Sequence, residues 1–386
     1  MKSAAIFPRA LALFLGTALT LAAQPQTPDL NALEARLKKL ESQVDTLRQE
    51  NQGLRQQLGV DAKGVAPVRV GVMGKETKLA IGGYLQTQAE FGAAADSRFP
   101  ATDRFLLRRA RLGIKGSFAN GFDFVLQSDW GNNSLNSTSG FRAQLSDAYV
   151  VWTKHAFANL TLGQFKVPYG YEQLLPDTKG QTIERSLPND MLTLPRQAGV
   201  MAAGSFFEKK IGYAAAVVNG NGTNVSFNDN DQFTSLGRVF ATAFDRDGVK
   251  LALGVNGFTG RDTGTFTGRR TGRGADAQVS FAGAELTAEF LRTHFDRDVG
   301  ADTDAQGWSL AGSYFFVPGK WQGIVRYESY DPNTDLGADQ TTLRTIGVTY
   351  LVKGDDLKLQ LNYLLGSPPN SAKQQGRFIG RMQLVF

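Results

Sequence analysis

The chain has no cysteine, and its only histidines are His155 and His294. That removes disulfide scaffolds, cysteine–zinc sites and cysteine nucleophiles, and it leaves little for a histidine metal centre. Past the N-terminus no run of about 18 apolar residues occurs, so a helical membrane protein is excluded. A GxxxxGKS/T phosphate-cradling loop is absent as well. Charge of one sign is scarce: 42 Lys and Arg against 36 Asp and Glu leave a net +6. Mean hydropathy is −0.23. None of this excludes a β-barrel in a membrane, whose strands alternate in polarity and average out to polar.

The N-terminus carries Lys2 and Arg9, then an apolar run from Ala10 to Ala23 that ends in small residues. This is the pattern of a secretory signal peptide, expected over 1–23 with cleavage near Ala22 or Ala23. Residues 28–59 change character. Leu30, Leu37, Val44, Asn51 and Leu58 fall at heptad position a, and Leu33, Leu40, Leu47 and Leu54 at d. An apolar seam of this kind predicts a coiled coil that joins copies of the chain. Arg36 facing Glu41 and Glu50 facing Arg55 suit a parallel assembly, and the heptads alone leave dimer and trimer open. A linker over 60–77 follows.

The remaining body, 78–386, reads as sixteen amphipathic strands. Leu357, Leu359, Leu361, Tyr363 and Leu365 alternate with Lys358, Gln360 and Asn362, and Phe122, Phe124 and Leu126 alternate with Asp123 and Gln127. Short connections such as Asn120-Gly121, Glu208-Lys209 and Pro318-Gly319 take turns with long ones such as 93–104, 171–197 and 221–234. Strict short–long alternation predicts an all-β, antiparallel, up-and-down transmembrane barrel, with tight turns and both termini on the periplasmic side and long loops outside. Aromatics near strand ends (Trp308, Tyr314, Phe316, Trp321, Tyr327, Tyr350) suit interfacial girdles, and the terminal Phe386 suits an outer-membrane assembly signal.

This layout resembles the phosphate-selective porin O and P family. The stretches that carry the likeness are FLLRRARLGIKG (105–116), GQFKVPYGYE (163–172), and TIERSLPND with PRQAGV (182–190, 195–200). The resemblance implies a trimeric, sixteen-stranded outer-membrane channel with the third loop, 171–197, folded inside as a constriction. It also implies Arg and Lys side chains that bind phosphate or other small anions.

Strand alternation then assigns the faces. Leu106, Ala110, Leu112 and Ile114 go to lipid, which turns Arg109, Arg111 and Lys115 inward and leaves Arg108 on the lipid-side register. Phe165, Val167 and Tyr169 are expected to face out, with Gln164 and Lys166 inward. The third loop supplies Lys179, Arg185 and Arg196 beside Glu184, and Arg238, Lys250, Arg326, Lys358, Arg377 and Arg381 read as inward elsewhere. Guanidinium groups suit phosphate because their planar fork binds two oxygens, and rings of cations give a pore its anion preference. Asp123, Asp129, Asp147, Asp276, Glu285, Glu289 and Glu328 also read as lumenal, so selectivity rests on placement rather than on total charge.

Other patterns point away from catalysis. Gly307-Trp308-Ser309-Leu310-Ala311 lacks the strand-to-helix turn of a nucleophile elbow. His294 near Asp296 and Asp298 reads as a solvated loop edge, and Asp229, Asn230 and Asp231 as loop hydration rather than a metal site. Arg269, Arg270 and Arg273 in a Gly- and Thr-rich loop suit lipopolysaccharide or solute better than nucleic acid. The expected partners are small anions, outer-membrane lipid and lipopolysaccharide, and two more copies of the chain; no cofactor or enzyme activity is expected. A general diffusion porin and a structural tether stay open beside the anion channel.

Overall fold

The computed structural model describes residues 36, 38–44, 78–118, 121–131, 135, 141–264, 266–368 and 373–386. The signal segment, the linker and most of the heptad segment lie outside these. Within 28–59, residues 38–44 are helical, and Leu40 and Val44 are exposed. Contacts divide the chain into Met1–Ala66 and Pro67–Phe386.

The second unit holds sixteen strands: β1 Lys78–Gly92, β2 Arg104–Phe118, β3 Phe122–Asp129, β4 Gln144–His155, β5 Ala158–Phe165, β6 Gln197–Phe206, β7 Ile211–Val218 and β8 Thr234–Arg246, then β9 Val249–Thr263, β10 Thr267–Phe281, β11 Ala284–Arg297, β12 Thr303–Val317, β13 Trp321–Asp331, β14 Thr341–Lys353, β15 Leu357–Ser367 and β16 Gln375–Val385. Each pairs antiparallel with its neighbours in sequence, and β1 pairs with β16 to close the barrel. Closure leaves no unpaired sheet edge, which a lipid-embedded sheet requires. The Phe386 and Gly83 main chains exchange hydrogen bonds at the seam, 2.9 and 3.0 Å. The Gly307–Ala311 stretch lies inside β12, and Arg269, Arg270 and Arg273, read as loop residues, lie in strand β10.

The outer surface is apolar where alternation places it. Phe378, Met382, Leu384, Leu359, Leu361, Val325 and Leu253 are exposed on it, and Trp308 stacks on Tyr327 at 5.3 Å and Trp321 on Tyr350 at 4.6 Å.

The inner face departs from simple polarity. Ala216, Val218, Leu236, Phe258, Leu291 and Ala305 lie on the lumenal register, and so do Leu343, Leu364 and Ile379 on the opposite wall. Two apolar inner walls would be costly in a water-filled pore, and loops cover both. The third loop leaves β5 at Phe165, carries helix α1 (Tyr171–Leu174) and helix α2 (Leu187–Leu192), and returns to β6. Its Phe165, Val167, Tyr169, Leu192 and Leu194 pack on the first wall, and its Ile183 and Leu187 on the second, together with Ala95 and Phe99 of the first loop and Leu135 of the second. At about 1.5–3 kcal/mol per large apolar side chain, these seven residues of the β5 end and the chain that follows it supply on the order of 10 kcal/mol for docking.

Two expectations about faces are corrected here. Phe165, Val167 and Tyr169 do not face lipid; Val167 and Tyr169 are fully buried inside the barrel. Leu160 and Leu162 hold the outer face of β5, so Phe165 at its end lies on the inner register with Thr161 and Gly163, and Val167 and Tyr169 beyond it meet the apolar inner wall. The Tyr169 ring meets Phe258 edge-on at 4.7 Å. Arg108 also points inward. Gln86 opposes Arg109 while Thr87 opposes Leu107, so Arg108 is the extra residue of a β-bulge, and Arg108 and Arg109 are both buried. Beyond the bulge the alternation shifts, and Phe105 and Leu107, rather than Leu106, oppose Ala89 and Thr87.

Close approaches fix the loops to the wall. A Cβ at Gly366 would lie 1.8 Å from the Ala95 carbonyl oxygen, and one at Gly307 would lie 2.7 Å from Pro188. Only glycine lets the first loop and α2 come so near.

Candidate functional site: the lumen around the third loop

The inward loop divides the lumen. On the long-loop side lies a chamber of about 390 Å³ lined by Arg98, Arg108, Arg109, Arg111, Arg185 and Arg196, with Asp190 as its one carboxylate. On the short-turn side lies a chamber of about 310 Å³ lined by Glu172, Glu285, Glu289 and Asp355 against Lys179 and Arg326. Between them a gap of about 20 Å³ is bounded by Arg109 and Arg185, shared with the first chamber, and by Glu172, Leu175, Gly180 and Thr182, shared with the second. A gap of that volume holds about one water molecule. A basic chamber, a narrow gap and an acidic chamber thus adjoin one another.

Carboxylates of the third loop, the first loop and strands β3 and β4 hold the arginines in place. Arg111 donates from Nε to Asp129 at 2.7 Å and from Nη1 to Asp177 at 2.5 Å. Arg185 also donates to Asp177, and Arg109 Nη2 stands 3.7 Å from it. Arg109 donates its one strong hydrogen bond to neutral Gln86, at 2.8 Å. Arg108 grips Glu184 with two donors, at 2.9 and 3.1 Å. Arg196 does the same to Asp147, at 2.9 and 3.0 Å. Arg98 joins the first loop to α2, binding Asp96 at 2.8 Å, Asp190 at 2.7 Å and the Arg185 carbonyl at 2.8 Å. After these bonds, Nη2 of Arg111, Nη1 of Arg185, Nη1 of Arg196, and Nε and Nη2 of Arg109 have no hydrogen-bond partner among the described residues. These four side chains line the basic chamber.

Burial works to raise the Asp177 carboxyl, but Arg109, Arg185, Arg111 and Lys166 overcome it and hold the group well below the usual carboxylate range. Lys166, at the root of the loop, donates to the Leu175 carbonyl at 2.7 Å. Burial pushes its ammonium down to about 7; Asp177 resists, and Arg185, Arg196 and Arg111 push it further down.

The remaining expected residues sit elsewhere. Arg377 is fully buried: it pairs with Glu90 at 2.9 Å and donates to the carbonyls of Gly92, Ala93, Pro100 and Thr102, so it fastens the first loop. Arg381 binds Gln88, Glu184 and the Ile183 carbonyl. Arg326 binds Glu328, Thr182 and the carbonyls of Glu184 and Arg185. Both fasten the third loop. Arg238 pairs with Asp276 at 2.5 and 2.8 Å, beneath the Tyr171 ring. Lys358 donates to the Thr178 carbonyl and Asp355. Lys179 is exposed in the acidic chamber, and Lys115 is exposed toward the short-turn end of β2. Arg98 and Asp177 are the members that strand patterns could not supply, since both lie in loops whose inward path depends on tertiary packing.

The sequence profile of the phosphate-selective porin O and P family matches residues 81–285 and 282–386. No curated protein sequence matches the chain. Among solved structures, the anion-selective porin of Comamonas acidovorans superposes with a TM-score of 0.62 at 16% identity, over 81% of this chain and 100% of that one. The outer-membrane channel DcaP of Acinetobacter baumannii gives 0.57 at 13% identity, over 82% and 99%. OmpT, an outer-membrane protein of Vibrio cholerae in a trimer form, gives 0.57 at 14%, over 81% and 100%.

Proposed function

The chain belongs to the phosphate-selective porin O and P family and is therefore an outer-membrane channel, and we propose that it passes small anions, phosphate among them, through the arginine-lined chamber and the gap beneath it. The observation that carries this reading is the lining of the long-loop chamber: six guanidinium groups against one carboxylate. An anion entering from water loses hydration. The unspent donors of Arg109, Arg111, Arg185 and Arg196 replace it with charge-assisted hydrogen bonds. Because the same guanidiniums are already bound to Asp129, Asp147 and Asp177, their net attraction is moderate, and the ion can leave again.

The long loops are taken to lie outside the cell, so the basic chamber meets the medium first. The trimer form of the Vibrio cholerae relative and the heptads of 28–59 support a homotrimer, and the apolar outer band suits lipid. The four carboxylates of the short-turn chamber favour a second reading, a general porin with weak preference, because they oppose what the arginines select.

Reversal potential across a KCl gradient tests the choice. The wild-type channel prefers chloride over potassium, and Arg109→Gln lowers that preference about twofold or more. This residue is chosen because Asp177 keeps Arg111 and Arg185 when it is lost. A potential near zero in the wild type, or an unchanged one in the variant, refutes the reading.

A further inference from the structure

The basic chamber has a second wall that an inorganic ion does not need. Met191 is 45% exposed on its lining, and Pro195 is exposed beside it. The placement of Met191 is not a by-product of helix packing. In α2, Leu187, Pro188 and Leu192 are buried, and Asp190 is tied to Arg98. The helix thus shows water its methionine, although apolar surface left in water is unfavourable in proportion to its area. Methionine is also the side chain that adapts most readily to varied apolar shapes. The chamber, about 390 Å³, is more than ten times the ≈30 Å³ share of one water, which is far more room than a bare oxyanion fills.

We propose that the solute this chamber selects is a small organic carboxylate with an apolar chain of about four to six carbons. Its headgroup takes the unspent donors of Arg109, Arg111, Arg185 and Arg196, and its chain lies along Met191 and Pro195. The inference rests on the reading of the lumen as an anion path and adds the apolar contact to it.

The test uses the full-length channel in planar bilayers carrying chloride current. Acetate, hexanoate and uncharged hexan-1-ol are the probes, each titrated for the concentration that halves the current. Acetate and hexanoate share one charge and differ by four methylenes. With about half of that chain covered, hexanoate blocks at about tenfold lower concentration than acetate, and hexan-1-ol does not block. In Met191→Ser the ratio falls to about two or below, while the chloride-over-potassium reversal potential stays at the wild-type value. Met191 is exposed, and Met191→Gln gives the same direction if Met191→Ser does not assemble. Equal block by acetate and hexanoate overturns the proposal. So does a ratio that survives the substitutions, or block by hexan-1-ol matching hexanoate. A wild-type reversal potential near zero instead overturns the anion reading itself, so the two failures are read on different axes.

Discussion

Lys166 is expected to give the channel a pH dependence. Its ammonium is pushed to about 7 by burial, with Arg185, Arg196 and Arg111 adding to the effect and Asp177 opposing it. A lysine whose pKa is lowered is charged below that value and neutral above it. At pH 5.5 the group is thus almost wholly positive, and at pH 8.5 almost wholly neutral. An ion passing about 8 Å away in water-filled lumen feels about 0.5 kcal/mol from one charge, 332/(80 × 8). Screening in 0.1 M salt, with a Debye length of about 10 Å, cuts this roughly in half. The effect favours chloride and disfavours potassium by the same amount, so the permeability ratio changes by about twofold when screened and about sixfold when not. Reversal potential measured from pH 5.5 to 8.5 is expected to show the anion preference falling by that factor, with a midpoint near 7. The variant Lys166→Met should hold the high-pH value throughout. A flat wild-type profile refutes the reasoning, because the ammonium then stays hydrated and charged. The same step in Lys166→Met refutes it too, because another group is then responsible.

Asp177→Asn leaves Arg109, Arg111 and Arg185 without their shared carboxylate. Breaking such buried pairs costs about 3–5 kcal/mol of loop docking, so residues 176–180 should become open to limited proteolysis while the barrel persists, and the anion preference should rise about twofold or more; a protected loop with unchanged preference would remove Asp177 from the gap. A cysteine placed at Asp335, in a long loop, should react with an impermeant reagent on intact cells, and one at Asp247, in a short turn, should not. The reverse labelling pattern would invert the barrel.

The strands were legible because lipid imposes a simple rule on their outer face. Alternation located all sixteen. The lumen was less legible because its rule is different. Inner residues answer to the loops that cover them, and those loops have no periodicity. Arg109, Arg111, Arg185 and Arg196 were found by strand face and family likeness, and they do line one chamber. Arg108 was misplaced because alternation cannot reveal a one-residue bulge, and Phe165, Val167 and Tyr169 because an apolar residue reads the same whether lipid or an apolar inner wall receives it.

Arg377, Arg381 and Arg326 show why counting lumenal cations overstates a pore's charge. Each sits on the inner register, as alternation requires, yet its donors go to loop carbonyls and to Glu90, Glu184 or Glu328. A guanidinium carries five donors in a fixed fork and cannot lose its proton. That makes it suited to holding an irregular loop against a wall, where several carbonyls face inward with no strand partner. The same chemistry serves conduction only where some donors are left over. In this lumen a fully spent arginine differs from one with donors to spare in the number of its N–H groups that the loops do not use, and that number is set by the path of the loops rather than by the register of the strands.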